Sequence, residues 1–291
     1  MMERPVGYLE LLRRNHDFRN LWIGQVVSEL GDWFSTVALL NLMLDLTGRA
    51  QVVGWFFIII HLPAVFIGPF SGVLVDRLDR KKLMISMDLV RAFLVLGYLF
   101  ITRVDRIWAL YLIAALEVAM MTLFEPARTA SIPNVCRPRE LVASNALGSV
   151  TWSVMLVIGA ALGGFVAAGL GRNVCYVVDS ISFVVSAIYI ARVRMPSRSA
   201  LKGTPPHTSA ILSSSLHQMA EGFRYLSAHE RVLALLLVKT GWCLGGGVLL
   251  VLSIFGETIF PVMGSGAAGI GVLYAARGIG TALGPVLARR L

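Results

Sequence analysis

Long apolar runs alternate with short polar ones along the whole chain. A membrane-crossing helix needs about 20 mostly apolar residues. Eight stretches meet that requirement: roughly 20–44, 51–75, 83–102, 107–126, 146–169, 174–193, 232–255 and 266–288. The rhythm breaks between 195 and 231. There a Ser/Pro/Gly-rich segment, Pro196 to Ser215, leads into Leu216, Met219, Phe223 and Leu226, an apolar face at helical spacing with Glu221, Arg224 and Glu230 on other sides. That pattern predicts an amphipathic helix lying on the membrane surface. The expected fold is an all-α polytopic membrane protein in three parts. Residues 1–194 form a six-helix bundle, 195–231 a linker, and 232–291 two further helices.

The second and eighth runs share a pattern. Gly54, Gly68, Gly72 and Arg77 have counterparts at Gly266, Gly280, Gly284 and Arg289, all at one offset. The glycines are expected to let helices approach closely, and the arginine marks one membrane exit. Parallel six-helix repeats are a transporter architecture. At this offset a second repeat would lack four helices beyond Leu291. A genuine eight-helix protein is the alternative.

Composition narrows the class. Hydrophobic residues make up 56% of the chain and charged residues 15%, against about 25% charged in soluble domains. A soluble protein this apolar could not cover its surface. The net charge of +9 raises the question of nucleic acid, but the basic residues form no continuous face. They gather in alternate loops: Arg4 to Arg19, Arg77 to Lys82, Arg128 to Arg139, and Arg192 to Arg231. The other loops hold Arg49, Arg103, Arg106 and Arg172. This bias predicts a cytoplasmic N-terminus in the inner (plasma) membrane. The polar opening and the long first apolar run argue against a cleavable signal. Cys136, Cys175 and Cys243 are scattered and read as small apolar fillers, with no metal or redox motif. No H-E-x-x-H, G-x-S-x-G or Walker pattern is present, so neither an enzyme nor a cofactor or metal site is expected.

Specific motifs follow. Gly72-Val73-Leu74-Val75-Asp76-Arg77-Leu78-Asp79-Arg80-Lys81-Lys82 resembles the G-x-L-x-D-R-x-G-R-[RK] signature of the major facilitator superfamily, with Asp79 where many members have Gly. Asn15, Phe18, Arg19, Leu21, Trp22, Gly24, Ser28, Gly31 and Asp32, with Phe124-Glu125-Pro126-Ala127-Arg128, Ile132-Pro133, Asn145-Ala146-Leu147 and Asp179-Ser180-Ile181-Ser182-Phe183, resemble the branch containing the enterobactin exporter and macrolide efflux proteins. The resemblance implies a major facilitator fold: a complete N-terminal six-helix bundle plus the first two helices of a C-terminal one, around a central cavity. It also implies that Gly72, Asp76, Arg77, Arg80 and Lys81 act as a conformational latch. The antiporter pattern G-P-x-x-G-G is replaced by Gly159-Ala160-Ala161-Leu162-Gly163-Gly164. The proline is absent, but the glycines still predict close helix packing.

A charge inside a membrane helix needs a partner, water or a task. Glu29 and Asp32 lie midway along the first helix, three residues apart. They are candidates to hold a transportable proton or touch substrate; alternatively, Asp32 ties its helix to a neighbour. Glu117, without a sequence-local cation, is expected to line the cavity. Asp179 reads as structural. Asp88 and Arg91 are expected to neutralise one another or to pair with a neighbouring helix, and His61, just before Pro63, to serve packing. The function expected is proton-coupled efflux of a small organic molecule of drug or siderophore type. The alternatives are a non-transporting remnant, an uptake protein or a lipid flippase. The expected partners are the bilayer, the substrate and protons, not nucleic acid.

Overall fold

The computed structural model describes residues 6–195, 221–222, 224–244 and 247–288. Its helices are α1 (Tyr8–Arg14), α2 (His16–Thr47), α3 (Ala50–Arg77), α4 (Arg80–Leu96), α5 (Ile107–Val135), α6 (Leu141–Leu170), α7 (Arg172–Arg192), α8 (Glu230–Leu244), α9 (Gly247–Thr258) and α10 (Gly266–Ala288). The fold is that of an all-α polytopic membrane protein. Among the described residues, five segments are long and apolar enough to cross a membrane by length and composition: Ala50–Arg77, Arg80–Phe100, Val104–Val135, Pro138–Leu170 and Arg172–Arg192. In α2 the apolar run is broken by Glu29, Asp32, Asn41 and Asp45.

Local chemistry sets the helix ends. The Asn15 side chain accepts from the Phe18 N–H at 2.9 Å and caps α2. Gly48, at φ +61°, ends it in the left-handed conformation that glycine adopts without steric cost. Asp79 accepts from the Lys82 N–H at 3.0 Å and caps α4, so the residue that replaces the signature's glycine starts the next helix. The fourth expected span stops at 126, but α5 continues through Pro126 and Pro133 to Val135. Each proline removes one backbone donor, which a packed membrane helix tolerates. The seventh span, expected as one run over 232–255, is two helices, α8 and α9; Gly245 and Gly246 between them lie outside the described residues. So do Leu216, Met219 and Phe223 of the expected amphipathic face and Arg289 of the repeat, whereas 224–228 are helical.

Packing is organised around α2, which runs against α6 and α7; α4 lies against α5 and α7, α3 packs on α5, and α10 packs on α6 and α9. Two apolar clusters fill the bundle. One gathers Phe34, Val37, Leu40 and Met43 with Val95, Leu110, Leu156 and Phe183. The other gathers Leu11, Phe18 and Leu21 with Met84, Phe124, Ala143 and Ile190. Glu29 and Asp32 sit on α2 between these clusters, at the waist of the bundle.

The repeat's glycines need a correction. A Cβ on Gly68, Gly72 or Gly280 would have nothing within 4 Å among the described residues, and one on Gly54 would reach only Leu250, at 3.9 Å. Close approach of described helices does not explain the three on α3, which buries little beyond Val53, Phe56, Ser71 and Val75; of the repeat's counterparts, Gly266 alone among the described ones is crowded, by the Glu257 carboxylate. Glycines that meet a neighbouring helix closely lie elsewhere, on α6 among others. A Cβ on Gly159 would sit 2.8 Å from Trp33 Cβ, one on Gly163 2.9 Å from Phe34 Cα, and one on Gly164 2.6 Å from the Ala267 carbonyl.

Candidate functional site

The waist holds a buried polar layer drawn from four helices. Arg91 on α4 donates to Asp32 on α2 at 2.6 Å, with the arginine side chain 5% exposed and the aspartate 32%. The guanidinium also lies 4.0 Å above the Phe183 ring, a cation–π contact. Tyr98 donates to Glu117 at 2.5 Å. Ser35 donates to Asp179, which is almost fully buried. Both oxygens of Asp88, which is fully buried, lack a hydrogen-bond partner. Arg91 therefore does not pair with its sequence neighbour at hydrogen-bonding distance. It reaches across to α2, and the bond ties Asp32 to a neighbouring helix.

Glu29, Asp32, Arg91, Tyr98, Glu117 and Asp179 line a cavity of about 280 Å³ together with Trp33, Trp152 and Phe56. A second, larger cavity, about 830 Å³, is lined by Gln25, Glu125, Arg128, Asn145, Ser149, Thr281 and others. Glu29, Met121 and Trp152 line both. Glu29 is thus at the junction, with Oε1 accepting from Gln25 Nε2 at 2.8 Å and Oε2 buried without a partner. Gln25 Oε1 accepts from Arg128 at 2.8 Å, and Arg128 forks onto Glu125 at 2.9 and 2.5 Å. A continuous relay, Glu125–Arg128–Gln25–Glu29, runs from one cavity to the mouth of the other. Trp33 sits edge-on to Trp152 and Tyr274, at 6.4 and 6.2 Å between ring centres, giving the junction an aromatic wall.

The opposite end is drawn together. Asn41 on α2 donates to both carboxylate oxygens of Glu257 on α9, at 3.1 and 2.9 Å, and Arg172 pairs with Asp45 at 2.8 Å. Where α3 meets α4, Arg80 bonds Asp76 at 2.8 Å and donates to the Ala130 carbonyl of α5 at 2.6 Å. The loop of Asp76, Arg77, Arg80 and Lys81 therefore docks on α5 through Arg80. His61 donates to or accepts from no distant helix in the described contacts: its Nδ1 lies 2.6 Å from the Phe57 carbonyl one turn back.

A family model described as transmembrane secretion effector matches residues 11–291. The chain belongs to this family of major facilitator superfamily transporters. It is 26% identical to the putative bacilysin exporter BacE of Bacillus subtilis, over 92% of this chain and 64% of the relative. It is also 26% identical to macrolide efflux protein A of Streptococcus pyogenes, over 77% and 54%, and 24% identical to the uncharacterized MFS-type transporter YfiS of Bacillus subtilis, over 88% and 66%. The structure resembles a bacterial homologue of the human lysosomal transporter Spinster in an inward-facing, unoccupied conformation, with a TM-score of 0.63 at 16% identity, covering 95% of this chain and 63% of that one. The chain spans two thirds or less of the length of these relatives.

Within this chain the structure brings Glu29, Asp32 and Glu117 to one cavity and keeps Gly72, Asp76, Arg77, Arg80 and Lys81 at the α3–α4 connection. Gly159, Gly163 and Gly164 lie along the inner side of α6. Sequence reading did not single out Gln25, Trp33, Tyr98 or Trp152. Glu125 and Arg128 stood in plain view as an acid and a base three residues apart on a helix, a spacing that pairs them. Nothing in the sequence marks Asn41 and Glu257 as partners.

Proposed function

We propose that the protein exports a small organic molecule across the inner membrane, driven by protons, with its N-terminus and the 830 Å³ cavity on the cytoplasmic side. The observation that carries this reading is the position of Glu29, an acid with one unpartnered oxygen at the junction of the open cavity and the acid-lined one. Substrate entering the open cavity meets Trp152 and Glu29 before Asp32 and Glu117. A proton taken up by one of these acids weakens its hold on a cation, and alternating access couples the two events. Export is favoured over uptake by relatives named for efflux and export. Asp76, Arg77, Arg80 and Lys81, following Gly72, would latch one conformation, and Gly159, Gly163 and Gly164 would let α6 slide on its neighbours.

The test is flux in proteoliposomes with an imposed proton gradient, using a macrolide and a cationic dye as probes. Gradient-driven efflux that falls at least about tenfold in both Glu29→Gln and Asp32→Asn, in the range that loss of one positioned proton-transfer group costs, supports the reading. Efflux that persists when the gradient is collapsed would remove the proton from the mechanism. Flux unchanged in both variants would make the acids structural.

A further inference from the structure

At the arginine-rich end three elements converge on a cleft of about 640 Å³: the α1–α2 turn from Arg14 to Asn20, the α5–α6 loop from Val135 to Glu140, and the end of α7 with Arg192 and Arg194. The floor of this cleft is cross-linked. Asn15 Nδ2 donates to the Val135 carbonyl at 2.7 Å and to Glu140 Oε2 at 3.0 Å, while its Oδ1 caps α2. Glu140 also accepts from the Arg137 N–H at 2.9 Å, and Asp17 accepts from the Arg194 N–H at 2.8 Å. Both acids in the cleft are therefore committed to backbone amides. Arg14, Arg137, Arg139, Arg192 and Arg194 line the same cleft; Arg14 is paired with Glu10 at 2.8 Å and Arg192 lies over the Tyr189 ring, so the positive excess on this fixed base rests on Arg137, Arg192 and Arg194. Arginine forks suit the oxygens of a phosphate.

The surroundings decide which phosphate. α1 exposes Tyr8 and Leu9, at 52% and 72%, while Leu11 is fully buried. Val142, two residues beyond Glu140, is 77% exposed. Tyr and aliphatic side chains beside a basic cluster belong at the boundary between headgroups and acyl chains. They set the cleft at headgroup depth, where the phosphates within reach are those of lipids. We infer that this cleft binds the phosphate of an anionic phospholipid, whose acyl chains run over the side of Tyr8, Leu9 and Val142. One headgroup then joins the start of α2, the α5–α6 loop and the end of α7, three elements that the bundle otherwise connects through Asn15, Asp17 and Glu140. The inference does not depend on which molecule the protein transports.

Native mass spectrometry of the detergent-purified chain tests it, with titrations of dioleoyl phosphatidylglycerol and dioleoyl phosphatidylcholine. The expected result is saturable retention of phosphatidylglycerol and not of phosphatidylcholine. Arg137→Gln with Arg194→Gln should weaken that retention about thirtyfold, at roughly fivefold for each basic residue. Arg137→Lys with Arg194→Lys keeps the charge and should retain most of it. Arg103→Gln with Arg106→Gln, at the other end of the helices, should change nothing. A large excess of glycerol phosphate should not displace the lipid. Equal retention of the two lipids, equal losses in the two glutamine pairs, or loss in the lysine pair as large as in the glutamine pair would overturn the inference. Displacement by glycerol phosphate would overturn it too, because the cleft would then take a soluble anion.

Discussion

Between α2 and α4 the contact is made by charge, whereas between α6 and α10 it is made by backbone. Asp32 and Arg91 meet at 2.6 Å, in a layer that also holds Glu117, Asp179 and the unpartnered Asp88. On the other side, Gly164 faces Ala267, Ala268 and Gly271, with Gly278 against Leu156 and Val157. A buried ion pair is directional and costly to separate; it holds two helices in one register. A seam of small residues has no directional bond; it lets two backbones approach closely and holds them by packing. The first contact lies among helices that precede residue 195, and the second joins one of those helices to one that follows residue 230. Glycine contacts are not confined to the second place, since Gly159 and Gly163 on α6 meet Trp33 and Phe34 on α2; what sets α2 and α4 apart is the ion pair. Asn41–Glu257 adds a polar bond from α2 to α9.

The sharpest way to break this comparison is Arg91→Met. Removing one partner of a buried pair costs about 3 kcal/mol or more, so thermal unfolding in detergent should show a large loss, most of it recovered by adding Asp32→Asn. If the single variant is as stable as the parent, charge does not hold α2 to α4. Next comes Gly164→Val, whose added carbons would run into the Ala267 carbonyl; overpacking of this kind costs roughly 1–3 kcal/mol. Gly72→Ala, with open space around it, should be neutral in the same assay, and an equal loss in both would erase the distinction between the α3 and α6 glycines.

Smaller still is Asn41→Ala. Loss of a hydrogen bond to a charged group is worth about 1.5–3 kcal/mol when buried, and less here because the contact is only half-buried. Its more telling readout is spectroscopic: double electron–electron resonance between labels at the outer ends of α2 and α9 should gain a longer-distance population. A distribution identical to the parent's would show that the bond closes nothing. The last prediction carries no stability cost. Cysteines at 103–106 should react with an impermeant maleimide from outside the cell, and cysteines at 200–210 should not. Cys136 will stay silent in that assay, since it is buried and burial pushes its thiol up to about 11. The reverse labelling would invert the proposed topology.

Much of the fold was legible because membrane helices advertise themselves by length and apolarity. All eight apolar runs contain helix, and the α3–α4 connection falls where the signature does. The misplaced details have physical causes. Pro126 reads as an exit, yet α5 passes through it, because proline breaks helices far less in lipid than in water. Gly54, Gly68 and Gly72 share an offset with residues in α10, but periodicity does not say which way a helix turns its glycines. For the site, Glu29, Asp32 and Glu117 were legible as charges out of place. Gln25, Trp33, Tyr98 and Trp152 were not, since an amide or an aromatic residue in a membrane helix is not costly enough to stand out.

Sequence alone determined that the chain spans a membrane many times, where its helices lie, and which acids need an explanation. These are properties of single segments against a solvent, and hydropathy and charge measure them directly. Tertiary structure decided which charges pair: Arg91 with Asp32 rather than Asp88, Arg128 with Gln25 as well as Glu125, Asn41 with Glu257. It also decided that Glu29 stands where two cavities meet. Those outcomes depend on the rotation of each helix about its own axis and on its choice of neighbour. Both are set by packing between residues far apart in the chain, which no single segment encodes.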